Sequence, residues 1–343
     1  MIKKVSIIGA GGWGTALSCV LGVKSAQYDI CLWAREEETK NNIHLKRENV
    51  DYLPGIKLPE NMSVTTDLQH AVEDADIVCF VVPSHVMRDV VRQAAPYFKS
   101  DAIAVSAAKG LEKNSDKRIS QILAEVLPCR DGYVAAISGP NHAEEVAKLI
   151  PSATVVASSN IHVARAVQEV FMLPFFRVYT NPDIIGVEIG GALKNIIALA
   201  AGASDGLGYG DNTRAALLTR GLAEMARFGG AMGANQLTFA GLSGIGDLMA
   251  TCGSKHSRNR KVGFEISQGK SVEEVTSSMK MVAEGVNTTS VVYDLAQQIG
   301  VDMPIVNACY RVVRQGANMA DAVNGLLMRG PKDELDEISM MNF

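Results

Sequence analysis

The sequence predicts an α/β protein: a parallel, doubly wound sheet over residues 1–182, then an all-helical domain over residues 183–343. Three observations carry this. Short apolar runs alternate with polar helical stretches through the first half. A glycine-rich turn joins the first run to the first helix. Past Pro182 the strand-like runs give way to Ala, Leu, Gly and Met at helical spacing. Strands alternating with helices imply a parallel sheet covered on both faces. A chain of 343 residues is long for one domain and about right for two.

In chain order, "KVSIIGAG", "YDICLWAR", "ADIVCFVVPS", "AIAVSAAKG" and "YVAAISGP" each look like a strand buried on both faces. "ATVVAS" and "FRVYT" are candidates for later strands. Ligands of such sheets bind beyond the C-terminal ends of the strands, so the residues just after these runs matter most. The helical half contains "GGALKNIIALAAGA", "LAEMARFGGAMG", "VVYDLAQQIG" and "ACYRVVRQGA". The tail "KDELDEISMMNF" reads as frayed, and its internal Lys-Asp-Glu-Leu is no retention signal.

Lys plus Arg number 33 and Asp plus Glu 37, a net charge of −4. Such a chain has no global field for nucleic acid, and an anionic ligand needs a local cationic site. The six cysteines are scattered without a C-x-x-C pair. That pattern argues against a zinc site and against a disulfide framework, and it fits a reducing cytosol; no metal is expected. Lys3 and Lys4 precede an apolar stretch that superficially resembles a signal peptide, but glycines interrupt it. No run reaches the ~20 uninterrupted apolar residues of a membrane span.

Those glycines form Gly9-x-Gly11-x-x-Gly14, directly after a strand and directly before a helix. The first allows a tight turn. The second lets a pyrophosphate approach the backbone, and the third lets helix and strand pack closely. The context makes this a dinucleotide site rather than a merely structural turn. Arg35 stands about 20 residues past the last glycine, where an NAD site usually has an acid. A guanidinium there suits a 2′-phosphate, which predicts NADPH. Glu36, one position on, keeps NADH possible.

Lys109 ends the "AIAVSAAKG" run, where an ammonium can hold an oxygen of cofactor or substrate. In "SGPNHAEEV", Gly139-Pro140 makes a turn, and Asn141 or His142 is placed to cap the next helix. His142 reads as a polar loop residue rather than a general base. The densest polar cluster of the helical half is "GLSGIGDLMATCGSKHSRNRKVG". It holds Asp247 and the run Ser257-Arg258-Asn259-Arg260, a suitable receptor for a phosphate dianion. A plain helix start with solvated arginines is the alternative for that run. Cys252 has no assignable basic partner and reads as packing. Lys194 lies inside "GGALKNIIALAAGA", an environment lysine seldom enters unpaired. It either snorkels to water or is tuned for chemistry. Gly190 and Gly191 are expected to let its helix approach the ligand crevice.

Over essentially its whole length the chain resembles the bacterial NAD(P)-dependent glycerol-3-phosphate dehydrogenases. The resemblance rests on "GAGGWGTAL", "VVPSH", "AAKGLE", "ISGPNHAEE", "GLSGIGDLMATCGSKHSRNR", "VAEGVNTT" and the long stretch from "NPDIIGVEIGG" through "TRGLAEM". It implies a Rossmann domain plus a helical domain, in a cytosolic homodimer. The implied reaction is reduction of dihydroxyacetone phosphate to sn-glycerol 3-phosphate for phospholipid synthesis. By the same resemblance Gly12, Trp13, Arg35, Ala143, Val282 and Glu284 meet the cofactor, and Lys109 and Arg258 meet both cofactor and substrate. Gly139, Asn141, Lys194, Asp247, Ser257 and Asn259 face the substrate. The chain departs from the family's usual pattern at Gly12, Trp13 and Asn141-His142.

Lys194 is the candidate general acid for a hydride transfer to the C2 carbonyl. Desolvation in the apolar helix lowers its pKa, and Asp247 is placed to hold it charged. Two rivals remain. A β-hydroxyacid dehydrogenase would favour Gly-x-x-x-Lys-x-x-x-Asn, but Ala198 stands where that Asn belongs. A non-catalytic NADPH-binding regulator would have no need of Lys109, Lys194, Asp247 and Arg258 together.

Overall fold

The computed structural model describes residues 2–24 and 27–331. The tail expected to fray, residues 332–343, lies outside the described residues. The chain packs as two units, Met1–Lys109 with Lys117–Ile184, and Gly110–Asp116 with Ile185–Phe343.

Among the described residues the first unit holds one eight-stranded sheet. Its strands are β1 (Lys4–Ile8), β2 (Asp29–Trp33), β3 (Met62–Thr65), β4 (Ile77–Phe80), β5 (Ile103–Ser106), β6 (Val134–Ser138), β7 (Ser152–Ala157) and β8 (Phe176–Asn181). They lie in the order β3-β2-β1-β4-β5-β6-β7-β8. The helices between them are α1 (Gly12–Gly22), α2 (Glu37–Lys46), α3 (Leu68–Val72), α4 (Ser84–Ala94), α5 (Ile119–Val126), α6 (Ala143–Val146) and α7 (Ile161–Phe171).

Alternate residues of each inner strand serve opposite faces, as the pleat requires. Val5, Ile7, Ile77, Cys79 and Val105 join one buried cluster with Leu17 and Leu21 of α1. Ile8, Val78, Phe80 and Ala104 join the other with Met87 and Val91 of α4. That is why these strands read as continuous apolar runs.

The sheet departs from expectation twice. First, β6 and β7 pair antiparallel, not parallel. Residues 139–151 between them hold only the four-residue α6, too little helix for a crossover, so the chain reverses. Second, β3 belongs to no expected run. It is four residues long, sits at the sheet edge and is only partly buried, so its apolar signal is weak.

The second unit is helical: α8 (Ile184–Gly206), α9 (Asp211–Ala231), α10 (Asp247–Gly253), α11 (Arg258–Ser267), α12 (Val272–Ser277), α13 (Glu284–Ile299), α14 (Pro304–Gln315) and α15 (Met319–Leu327). Helix α8 is long and apolar enough to cross a membrane, but 83% of its most apolar window is buried. Glu188, Lys194 and Asp205 interrupt it.

A wide π-type turn, Leu242–Gly246, leads into α10. A Cβ on Gly190 would lie 2.5 Å from the Ser243 carbonyl oxygen. The close approach at Gly190 is therefore to this turn, which carries Asp247 at its end. Gly190 thus has a packing role one turn before Lys194.

Glu224 of α9 is 2% exposed and accepts from the backbone N–H groups of Ile305 (2.7 Å) and Val306 (3.3 Å). It thus caps α14, yet burial pushes its carboxyl up to about 7. The folded state then keeps this proton to about pH 7, while an unfolded glutamate loses it near 4.3. Between these values the folded state binds more protons, so stability falls as pH rises. The expected loss from pH 5 to 8 is on the order of 3 kcal/mol. Denaturant unfolding at both pH values should give a smaller loss for Glu224→Gln. An unchanged loss would assign the pH dependence to other groups.

Candidate active site

In the first unit the glycine turn closes the C-terminal end of β1. Gly9 adopts φ +125°, and a Cβ on Gly14 would lie 2.0 Å from the Gly9 carbonyl oxygen. Turn and helix start are thus packed backbone to backbone. Asn49, 1% exposed, pins the turn by donating to the Ala10 carbonyl and to Thr15 Oγ1, each at 2.8 Å. Gly11 is the N-cap of α1 and lends no side chain to the cap. The first N–H groups of α1, from Gly12, Trp13 and Gly14, therefore face outward at the positive end of the helix dipole.

A nicotinamide dinucleotide fits this turn. A Cβ on Gly11 would meet no protein atom within 4 Å, so the backbone there is open to a ligand. Trp13 Nε1, beside it, is buried without a hydrogen-bond partner. Buried polar atoms in that state point to a group that completes them.

Arg35 follows the tip of β2, exposed, with its Nε donating to Glu36 Oε1 at 2.7 Å. The Lys109 ammonium, past the end of β5, donates to the Gly139 carbonyl at 2.8 Å and ties two strand-end loops together. Asn141 donates from Nδ2 to the Ala153 carbonyl (2.8 Å), and its Oδ1 is buried without a partner. The expected capping of α6 is not made. His142 occupies the N-cap position without a side-chain cap bond, and Asn141 is turned to β7. Ala143 packs close to Gly12 at the start of α1.

In the second unit Lys194 is 7% exposed and Asp247 1%. That excludes a snorkelling lysine. The ammonium donates to Asp247 Oδ1 at 2.5 Å and to Thr251 Oγ1 at 2.6 Å, and the Thr251 hydroxyl donates to Asp247 Oδ1 at 3.1 Å. Burial alone pulls a lysine toward its neutral form. The carboxylate opposes that and holds it charged.

Ser257 caps α11, its Oγ accepting from the Arg260 N–H at 3.2 Å. Arg258 is exposed and donates to the Val282 carbonyl at 2.7 Å. Asn259 donates to Asn195 Oδ1 at 2.8 Å and accepts from the Gly285 N–H at 2.9 Å. The start of α11, the start of α13 with Glu284, and the residue beside Lys194 are thereby one hydrogen-bonded assembly. Cys252 is fully buried, and burial pushes its thiol up to about 12, which suits packing and not nucleophilic chemistry.

Thr251 and Asn49 are not among the residues expected from the sequence. Thr251 follows Asp247 by four residues on one helix face, a signal present in "DLMAT". Asn49 lies in an irregular loop and carries no such signal. Among the described residues no group of three or more His, Cys, Asp or Glu could hold a metal ion.

The family model for the NAD-dependent glycerol-3-phosphate dehydrogenase N-terminus matches residues 4–164, and the model for the C-terminus matches residues 183–324. The chain is 52% identical over 342 residues to a glycerol-3-phosphate dehydrogenase (NAD(P)+) of Pelotomaculum thermopropionicum, covering 99% of this chain and 97% of that protein. It is 48% identical to one of Desulfitobacterium hafniense, covering 99% and 95%. The crystal structure of glycerol-3-phosphate dehydrogenase from Coxiella burnetii superposes with a TM-score of 0.91 at 36% identity, covering 96% and 99%.

A dinucleotide turn on a doubly wound sheet, followed by a helical unit with a buried ammonium, defines a two-domain oxidoreductase that uses a nicotinamide cofactor. The chain belongs to the NAD-dependent glycerol-3-phosphate dehydrogenase family.

Proposed function

We propose that this enzyme reduces dihydroxyacetone phosphate to sn-glycerol 3-phosphate, the entry to glycerophospholipid synthesis, with Lys194 as the proton donor. The observation that carries the reading is the buried Lys194–Asp247 pair, bridged by Thr251. Bound nicotinamide dinucleotide supplies the hydride to C2. Lys194 Nζ holds the proton that the developing C2 alkoxide needs, and its positive charge stabilises that alkoxide. Asp247 and Thr251 aim the ammonium. Ser257, Arg258 and Asn259 at the start of α11 supply the charge and N–H groups for the phosphate. Gly139, Asn141 and Lys109 line the substrate from the strand-end loops. The cofactor contacts are Gly9, Gly11, Gly12, Trp13, Gly14, Arg35, Lys109, Ala143, Arg258, Val282 and Glu284. Scattered free cysteines suit the cytoplasm, and a homodimer is the assembly the family resemblance implies. NADPH consumption that depends on dihydroxyacetone phosphate and yields glycerol 3-phosphate one for one tests the reading. Absence of that product would overturn it.

The preferred cofactor is NADPH. Arg35 is exposed at the tip of β2, free to reorient from Glu36 toward a 2′-phosphate. A charge-assisted contact of this kind is worth ~1.5–3 kcal/mol. Arg35→Ala should therefore lower kcat/KM for NADPH at least ~10-fold and leave that for NADH nearly unchanged. Equal efficiency of the wild type with both cofactors would contradict this.

A further inference from the structure

We propose that Asp205 is a positioning residue that sets the register of α11, and with it the Ser257–Asn259 anion receptor, against the lysine-bearing helix α8. This rests on the reading of α11 as the phosphate receptor.

Helices α8 and α11 cross backbone to backbone. A Cβ on Gly202 would lie 1.8 Å from the Arg260 carbonyl oxygen, and one on Gly263 would lie 1.9 Å from that of Leu199. Glycine at such a crossing fixes how near the helices come. Leu199 of α8 and Val262 of α11 pack in one buried cluster at this crossing, and Gln268 donates to the Gly206 carbonyl at 2.7 Å beyond it. The charged and amide contacts on either side add direction to that packing. Toward the site, Asn195 of α8 holds Asn259 of α11 at 2.8 Å. Toward the far end of α8, Asp205 holds Arg260. Its Oδ2 accepts from Arg260 Nε at 2.6 Å, and its Oδ1 accepts from Arg214 Nη2 of α9 at 2.6 Å.

The Asp205 side chain is 9% exposed, so both bonds are sheltered from solvent. Each carboxylate oxygen takes one guanidinium, the strong charge-assisted form of the bond. Arg260 is itself held twice. Its backbone N–H is the one that Ser257 Oγ accepts from, and its side chain is the one that Asp205 clamps. A shift of Arg260 therefore shifts Ser257 and Arg258.

Asp205 touches no proposed substrate group, so its loss should weaken binding of the phosphorylated substrate more than the chemical step. Asp205→Asn is expected to raise KM for dihydroxyacetone phosphate at least ~10-fold with kcat changed less than ~3-fold, the signature of lost uniform binding. Arg260→Gln should do the same, and the double variant should be little worse than either, because both break one contact. Arg214→Gln removes the other partner of Asp205 but leaves α11 clamped, so KM should stay within ~2-fold of wild type by the same criterion.

Titration with inorganic phosphate reads the receptor without turnover. Its Kd should weaken in Asp205→Asn and Arg260→Gln but not in Arg214→Gln. An unchanged KM and phosphate Kd in Asp205→Asn would overturn the proposal. So would parallel losses of kcat, phosphate affinity and melting temperature in all three variants, which is the pattern of a merely structural cluster. If Asp205→Asn does not fold, the contrast of Arg260→Gln with Arg214→Gln decides the matter by the same readouts. A wild type that binds phosphate but turns over no triose phosphate would instead sink the reaction assigned above and leave the phosphate titration as the test of Asp205.

Discussion

Lys194→Met is expected to lower turnover by at least ~10²-fold, the lower end of what general acid–base help supplies, while NADPH still binds. Methionine keeps the length and apolar body of the side chain, so α8 retains its packing. What disappears is the ammonium that donates to Asp247 and Thr251. The cofactor turn with Gly9, Gly11 and Gly14 belongs to the other unit and is untouched. Steady-state rates and fluorescence titration with NADPH separate the two effects. Near-normal turnover would remove Lys194 from the catalytic role. Loss of NADPH binding would make the defect structural.

Asp247→Ala should destabilise the protein by ~3–5 kcal/mol, the usual cost of leaving one member of a buried ion pair alone. Lys194 is 7% exposed, so little water reaches its ammonium to replace the lost carboxylate. Denaturant unfolding should show the loss, and turnover should fall with it because the ammonium is no longer aimed. Combining Asp247→Leu with Lys194→Met removes both charges and should recover most of the stability but none of the activity. If Asp247→Ala unfolds like wild type, the pair contributes no structural constraint and the account of α8 fails.

Much of the fold was legible because burial on two faces leaves a plain trace. The inner strands β1, β2, β4, β5 and β6 are apolar at every position or nearly so. Edge strand β3, four residues and half exposed, leaves almost none. The reversal between β6 and β7 was not legible, since apolar runs report burial and carry no direction.

At the site, Gly9, Gly11 and Gly14 were legible because a turn that admits a ligand imposes glycine at fixed spacing. Lys194 was legible as an anomaly, a charge in an apolar helix. Its pairing with Asp247, 53 residues on, follows from how α8 packs at Gly190 against the turn before α10. No local pattern encodes that packing. The same holds for Asn259 with Asn195 and for Arg260 with Asp205. Each residue stood in the sequence as a polar group of plain type, and only the crossing of α8 with α11 gives it a partner.

The most direct measurement compares initial rates of the purified wild type with two substrates, dihydroxyacetone phosphate with NADPH and 3-hydroxy acids with NADP+. Rapid NADPH oxidation by the triose phosphate and no appreciable turnover of the hydroxy acids are expected. Turnover of a 3-hydroxy acid with none of dihydroxyacetone phosphate would contradict the proposed function.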